Sequence, residues 1–225
     1  MEKIDEISER LQAAKQRVAR ARKALAPKHK GGEVEEFRSA QSELLGIERE
    51  LAAAKGEEYA ITIDFPVQWN TGAPCPHVVA SEQKVFLIFL LNVPDPNWDG
   101  TYVTSVDPAA LKTEALGLVE FELCTAFKMG SPNDEVFSGH PLHGKGLEGY
   151  RAQEVINSKW LKELEAINRV HPQYNPNSWK DLHHYVFWFH DTTFECVTYW
   201  SYKVEVFNES FPEIVARASK RLWER

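Results

Sequence analysis

The chain has 225 residues, 43% hydrophobic and 26% charged, an ordinary globular balance with enough apolar material for one sizeable core and an accessory element. Its formal charge of −7 is uneven: residues 1–56 hold 12 Lys and Arg against 10 Asp and Glu, a net of +2, and the rest hold 14 against 23, a net of −9. An acidic second part argues against general nucleic-acid binding there, because neutralising phosphates requires a basic surface. The longest apolar run, Val85 to Leu91, is far shorter than the roughly 20 residues that cross a bilayer.

The opening Met1-Glu2-Lys3-Ile4-Asp5-Glu6 is acidic and amphipathic, without the apolar stretch of a secretory signal or the arginines of a transit peptide. Cys75, Cys124 and Cys196 are odd in number and show no C-x-x-C spacing, so neither a disulfide framework nor a zinc knuckle is indicated. These features predict free thiols in a cytoplasmic protein with no membrane partner.

Ile4, Ile7, Leu11, Ala14, Val18, Ala21 and Leu25 follow alternating steps of three and four, which places one apolar stripe along a helix. Phe37, Ala40, Leu44, Ile47, Leu51 and Ala54 repeat the pattern after the breaker Pro27-Lys28-His29-Lys30-Gly31-Gly32. The reading is an antiparallel, coiled-coil-like helical hairpin over residues 1–56. Arms this short rely on tertiary packing, so the hairpin should dock on the rest of the chain or pair with another subunit as a homo-oligomer. The basic run Lys15, Arg17, Arg20, Arg22, Lys23, Lys28 and Lys30 reads as a solvated helix face paired with glutamates in preference to a nucleic-acid handle.

Residues 57–225 read as an α+β domain that is mainly antiparallel, with one internal and one C-terminal helix. Tyr59 to Asp64 alternates as a strand, Lys84 to Asn92 is a buried strand, and Leu116 to Phe127 alternates again. Trp160, Leu161, Leu164 and Ile167 mark a short helix that starts at Asn157 or Ser158 and ends before Pro172. Ser210-Phe211-Pro212-Glu213 is a capping box, with Phe211, Ile214, Val215, Ala218 and Leu222 on the buried face of the final helix.

Two further strands flank the polar turn at Asp191-Thr192. With a two-residue turn, His190 opposes Thr193, Trp188 opposes Glu195, Val186 opposes Val197 and His184 opposes Tyr199. Tyr185, Phe187, Phe189, Phe194, Cys196 and Trp200 then share the core face, with His183 at its end. The other face gathers His184, Trp188, His190, Glu195 and Tyr199, with Asp191 at the tip. A three-residue turn would put the glutamate on the opposite side from the histidines.

Three loops follow from the punctuation. The segment from Gly130 to Gly149 carries Asn133, Asp134, Glu135, His140 and His143 in a Gly/Pro frame, the composition of a functional loop. A Pro-rich loop from Pro66 to His77 holds Cys75, the better candidate for a reactive thiol than Cys196 among its aromatic neighbours. Pro94 to Gly100 reads as a turn. No dinucleotide fingerprint, Walker lysine, G-x-S-x-G elbow or kinase set is present, which removes most of the case for nucleotide-cofactor and serine-hydrolase classes.

The phrases Ser131-Pro-Asn-Asp-Glu-Val136, Gly139-His-Pro-Leu142, Asn157-Ser-x-Trp160 and His184-Tyr-Val-Phe-x-Phe-His-Asp-x-Thr-Phe-Glu-Cys196 resemble those of a group of bacterial proteins without an assigned activity. The resemblance covers about residues 57–205 and implies that the loop and the late hairpin are parts of one recurring unit. It supplies no catalytic assignment.

The expected function is an enzyme with a His/Asp/Glu acid–base or metal-assisted site on a small polar substrate, such as a hydrolase. His140, His184, His190, Asp191 and Glu195 are the candidate catalytic groups, and Asn133, Asp134, Glu135 and Trp188 the substrate-binding ones. A weaker alternative is a divalent metal held by His140, His143 and Asp134. The competing expectation is a non-catalytic binding or assembly protein that oligomerises through the hairpin.

Overall fold

Burial of heptad positions against one another builds the first element. Ile7, Leu11 and Ala14 of α1 (Glu2–Ala24) meet Ile47 of α2 (Gly31–Ala54) in one apolar seam flanked by Leu44 and Leu51. Arg17 of the basic run bridges from α1 to Glu36 and Glu43 of α2, and Arg10 to Glu50. A second face of α2 carries Glu48, Arg49 and Ala52, with Ala52 four and three residues beyond the other two, and this face meets the rest of the molecule. The computed structural model describes residues 2–25, 31–94, 106–199 and 201–224. Pro27-Lys28-His29-Lys30, the turn from Asp95 to Gly100, and Trp200 lie outside the described residues.

Beyond the hairpin the chain is α+β, as the strand and helix pattern predicts. The described strands form two antiparallel sheets. One has the order β1 (Tyr59–Thr62), β6 (Ala152–Ile156), β7 (His183–Trp188), β8 (Thr193–Thr198), β5 (Cys124–Gly130). The other runs β2 (His77–Ala80), β3 (Lys84–Leu90), β4 (Glu114–Glu122), β9 (Lys203–Glu209). Their inner faces share a core in which Val85, Leu87, Phe89, Val119 and Phe121 pack on Tyr185, Phe187, Phe194 and Cys196. Phe121 contacts the rings of Phe187 and Phe194 at 5.8 and 5.6 Å, within the range where tilted and edge-on aromatic pairs add to burial.

Three sequence expectations change here. The run Leu116 to Phe127 is two strands: Leu123, at φ +51°, turns the chain so that β4 and β5 enter different sheets. The segments from His77 to Ala80, from Ala152 to Ile156 and from Lys203 to Glu209 are also strands, the first two too short to announce themselves by alternation. The β7–β8 pairing is shifted by two residues from the two-residue-turn register. Trp188 opposes Thr193, Val186 opposes Glu195 and His184 opposes Val197, with Phe189 to Thr192 forming the connection. A shift of two preserves the side of every residue in the strands, so His184, Trp188 and Glu195 still share a face.

The outer face of the second sheet is closed by α4 (Phe211–Arg221), whose Phe211, Ile214 and Ala218 cover Phe86, Ile88, Leu116 and Leu118. Glu213 accepts from both the backbone N–H and the hydroxyl of Ser210, completing the expected cap. On the outer face of the first sheet, Ala60, Val155, Val186 and Trp188 are covered by Phe137, Leu142 and Leu147 of the Gly/Pro-framed loop. That loop is fastened to α2 at Gly146. Its N–H donates to Glu48, and its carbonyl accepts from Arg49 and Gln153. Arg49 also donates to the Ala60 carbonyl and pairs with Glu148, so the helical hairpin holds the loop against the sheet.

Candidate functional site

Beside the apolar part of this outer face, the same alternation places three charged or titratable side chains. Register puts Lys128 of β5 opposite Glu195 of β8, and His184 of β7 reaches Glu195 diagonally. His184 and Glu195 are buried, at 4% and 7% exposure. The His184 Nε2 lies 2.8 Å from Glu195 Oε2, and its Nδ1 lies 2.8 Å from Ser158 Oγ. Lys128 Nζ is 3.1 Å from the other Glu195 oxygen.

The protonation pattern follows from the partners. Burial pushes the Glu195 carboxyl up, but the His184 hydrogen bond and charge together with the Lys128 ammonium outweigh it, and the net shift is downward. An ionised carboxylate only accepts, so His184 Nε2 carries a hydrogen toward Glu195, and in the tautomer with its single hydrogen there Nδ1 receives the Ser158 hydroxyl. Ser158 Oγ in turn accepts from the Leu161 N–H at 3.1 Å, as the N-cap of α3 (Lys159–Asn168). Asn157, at φ +55°, makes the sharp turn from β6 into that cap. Lys128, Glu195, His184 and Ser158 thus form a continuous chain in which each donor meets an acceptor.

Lys128, Glu195 and His184 form part of the wall of a cavity of about 640 Å³, bounded on one side by β5 and on others by the loop at Gly139 to Leu142 and by α3, while the buried Ser158 is not among its lining residues. Trp160 stands edge-on to His184, with ring centres 5.1 Å apart, and Lys128 sits 4.4 Å over its ring. The buried Glu58 accepts from the Lys159 N–H and approaches its ammonium at 3.4 Å. His140 lines the same cavity. Its Nδ1 accepts from the Leu142 N–H, and burial lowers its pKa against the opposing pull of the Glu195 charge. At neutral pH it is therefore an uncharged imidazole with its hydrogen on Nε2.

The candidates named from sequence divide between places. His140, His184 and Glu195 share the cavity. Asp134 and His190 form a separate pair, 2.8 Å apart, joined by the Tyr150 hydroxyl, with His190 40% exposed. Tyr150 raises no proton-transfer case near neutrality, since burial and Asp134 push its hydroxyl up to about 12. His190 and Asp191 do not line the cavity because the β7–β8 connection carries them past the strand ends, and Asp134, at the start of the 3-10 turn, is paired with His190 away from the cavity lining. Asn133 precedes the 3-10 turn Asp134–Gly139 without a side-chain capping bond, and Glu135 is on the exposed side of that turn.

Trp188 is fully buried between Phe137 and His140, which makes it core in place of a substrate contact. The metal set also separates: Asp134 is committed to Tyr150 and His190, while His143 stands edge-on to Phe137 on another cavity. Among the described residues, no three His, Cys, Asp or Glu side chains converge to hold a metal ion. Cys75 is half-buried, and burial followed by the Asp191 charge raises its thiol pKa, the opposite of activation. Cys196 is fully buried.

Sequence reasoning missed Lys128, Glu58, Trp160 and the second role of Ser158. Only the phrase Asn157-Ser-x-Trp160 pointed to two of them. The others are brought in by β5–β8 pairing and by the packing of Glu58 on α3, neither of which has a local signature. No protein-family model matches the chain, and neither does a curated protein or a solved structure.

Proposed function

We propose that the chain is an acid–base enzyme of the hydrolase class that acts on a small polar substrate seated in the 640 Å³ cavity. The observation that carries this reading is the matched hydrogen-bond chain from the half-exposed Lys128 through the buried Glu195 and His184 to Ser158, beside the apolar cluster of Val186 and Trp188. A buried carboxylate and imidazole cost desolvation, which a purely structural face would avoid with apolar residues. In this reading Glu195 fixes the imidazole tautomer, His184 takes the Ser158 proton through Nδ1, and the His140 Nε2–H donates to an oxygen of the substrate as charge builds there. The pocket's mixed charges, Lys128 and Lys159 against Glu58, Glu163 and Glu195, suit a polar substrate over a greasy one.

The test is reaction of the purified chain with a fluorophosphonate probe, followed by turnover of a panel of small esters and amides. Labelling at Ser158, lost in Ser158→Ala and in His184→Gln, supports the relay. A second reading, a binding pocket without chemistry, is favoured by one fact: Ser158 is only 4% exposed, and both ring nitrogens of His184 are already engaged. Absence of labelling and of turnover, with saturable binding of small polar ligands, would decide for it. The free, mostly buried thiols fit a reducing cytoplasmic setting. Self-association through the hairpin is a separate proposal, and a monomer mass in solution at about 10 μM, a concentration where stable dimers persist, would end it.

A further inference from the structure

We propose that the cleft between α2 and the loop of residues 137–151 is a second binding site, for a small oxyanion carrying two or more negative charges. It shares no lining residue with the cavity just described, so it does not depend on that reading. Its volume is about 720 Å³, and it is lined by Arg38 and Arg49 of α2, by Arg151 at the entry to β6, and by His143.

The charge distribution is what sets it apart. In the 640 Å³ cavity each lysine is matched to a buried carboxylate, Lys128 to Glu195 and Lys159 to Glu58. In the cleft only Arg49 is matched, to Glu148. Glu48, the other acid of the lining, is occupied by the Gly146 N–H. The exposed side chains of Arg38 and Arg151 have neither a hydrogen bond nor an ion pair among the described residues. Arg10, Arg17, Arg217 and Arg221 each grip a carboxylate, and the exposed Arg20 and Arg22 of α1 are unpaired among the described residues as Arg38 and Arg151 are, but only the latter two line a cleft.

Arg38, Arg49 and Arg151 outnumber Glu48 and Glu148 in the lining, and an anion offsets the excess positive charge. Guanidinium forks match the paired oxygens of phosphate and carboxylate groups, and a neighbouring imidazole adds a further donor. The α2 spacing has a purpose on this account: Arg38, Gln41, Leu45, Glu48 and Arg49 lie on one helix face that is not spent on α1. Glu48 and Arg49 fasten the loop, and Arg38 extends the same face along the cleft.

Calorimetric titration of the full chain with inorganic phosphate, pyrophosphate and citrate at low ionic strength tests the proposal. Saturable binding of at least one probe is expected, with about tenfold weaker affinity in Arg38→Gln and in Arg151→Gln, the loss of one charge-assisted contact. Pyrophosphate over citrate would identify a phosphate ligand, and the reverse order a polycarboxylate. On the unmodified protein, the His143 ring resonances should move on titration while those of His171, on the exposed segment after α3, stay in place. No saturable binding by any probe, unchanged affinity in both Arg38→Gln and Arg151→Gln, or equal movement of both histidines would overturn the proposal.

Discussion

Replacing Glu195 separates the structural and chemical roles of the buried chain. In Glu195→Ala the His184 Nε2–H, at 4% residue exposure and 2.8 Å from its acceptor, loses its partner without gaining water. A buried unsatisfied donor costs about 1–3 kcal/mol, and the lost methylene packing adds about 0.8 kcal/mol. The Lys128 contact adds little, because that side chain is 53% exposed and exposed pairs contribute about 0–1 kcal/mol. The expected destabilisation is therefore about 2–4 kcal/mol. Glu195→Gln keeps the shape, and its amide oxygen can still accept from Nε2–H, so it should cost about 1 kcal/mol. Urea unfolding followed by tryptophan fluorescence measures both. Losses equal within about 0.5 kcal/mol, or an Ala loss below about 1 kcal/mol, would refute the buried-pair accounting.

The same pair has a pH signature. The folded Glu195 pKa is lowered, so its stabilisation is present above the ordinary carboxylate range and disappears as pH falls through the folded value. The stability gap between the native chain and Glu195→Gln should accordingly close on acidification. A gap that widens toward acid would contradict the sign.

Other expectations can be checked individually. His190 should titrate above an ordinary histidine, because the Asp134 hydrogen bond, with the Asp134, Asp191 and Glu135 charges, outweighs its small desolvation. Histidine NMR titration should show that shift largely collapsing in Asp134→Asn, and the stabilisation from His190 should be lost as pH rises through the raised value. Gly146→Ala should cost about 2–4 kcal/mol and loosen the loop, since φ is +83° and the new Cβ would lie 2.6 Å from the Ala60 carbonyl. Wild-type stability in that variant would show that the Gly146 fastening is dispensable. Arg17→Ala should leave the urea midpoint close to that of the native chain because its glutamate partners are exposed. Arg221→Ala should cost more, about 2–3 kcal/mol, by leaving Glu120, at 4% exposure, with only Lys84 at 3.7 Å.

The division into a helical hairpin and an α+β second part was legible in the sequence because both depend on local periodicity. Heptad spacing marks Ile7, Leu11, Ala14 and Ile47, and alternation keeps His184, Trp188 and Glu195 on one side of their hairpin whichever even shift the pairing takes. The capping residues Ser158 and Ser210 were equally readable, since each acts within three residues of itself. What periodicity could not reveal was whether the polar face meets water. Tertiary packing decided that: Gly146, held by Glu48 and Arg49 about a hundred residues away in sequence, lays the loop over Trp188 and turns an apparently solvated face into a buried one. The pairing of β5 with β8 then brings Lys128 to Glu195, and α3 brings Ser158 to His184. The physical reason is range. Dihedral preference and face alternation act over a few residues, whereas the meeting of these charges depends on which surfaces can be buried together when the whole chain closes.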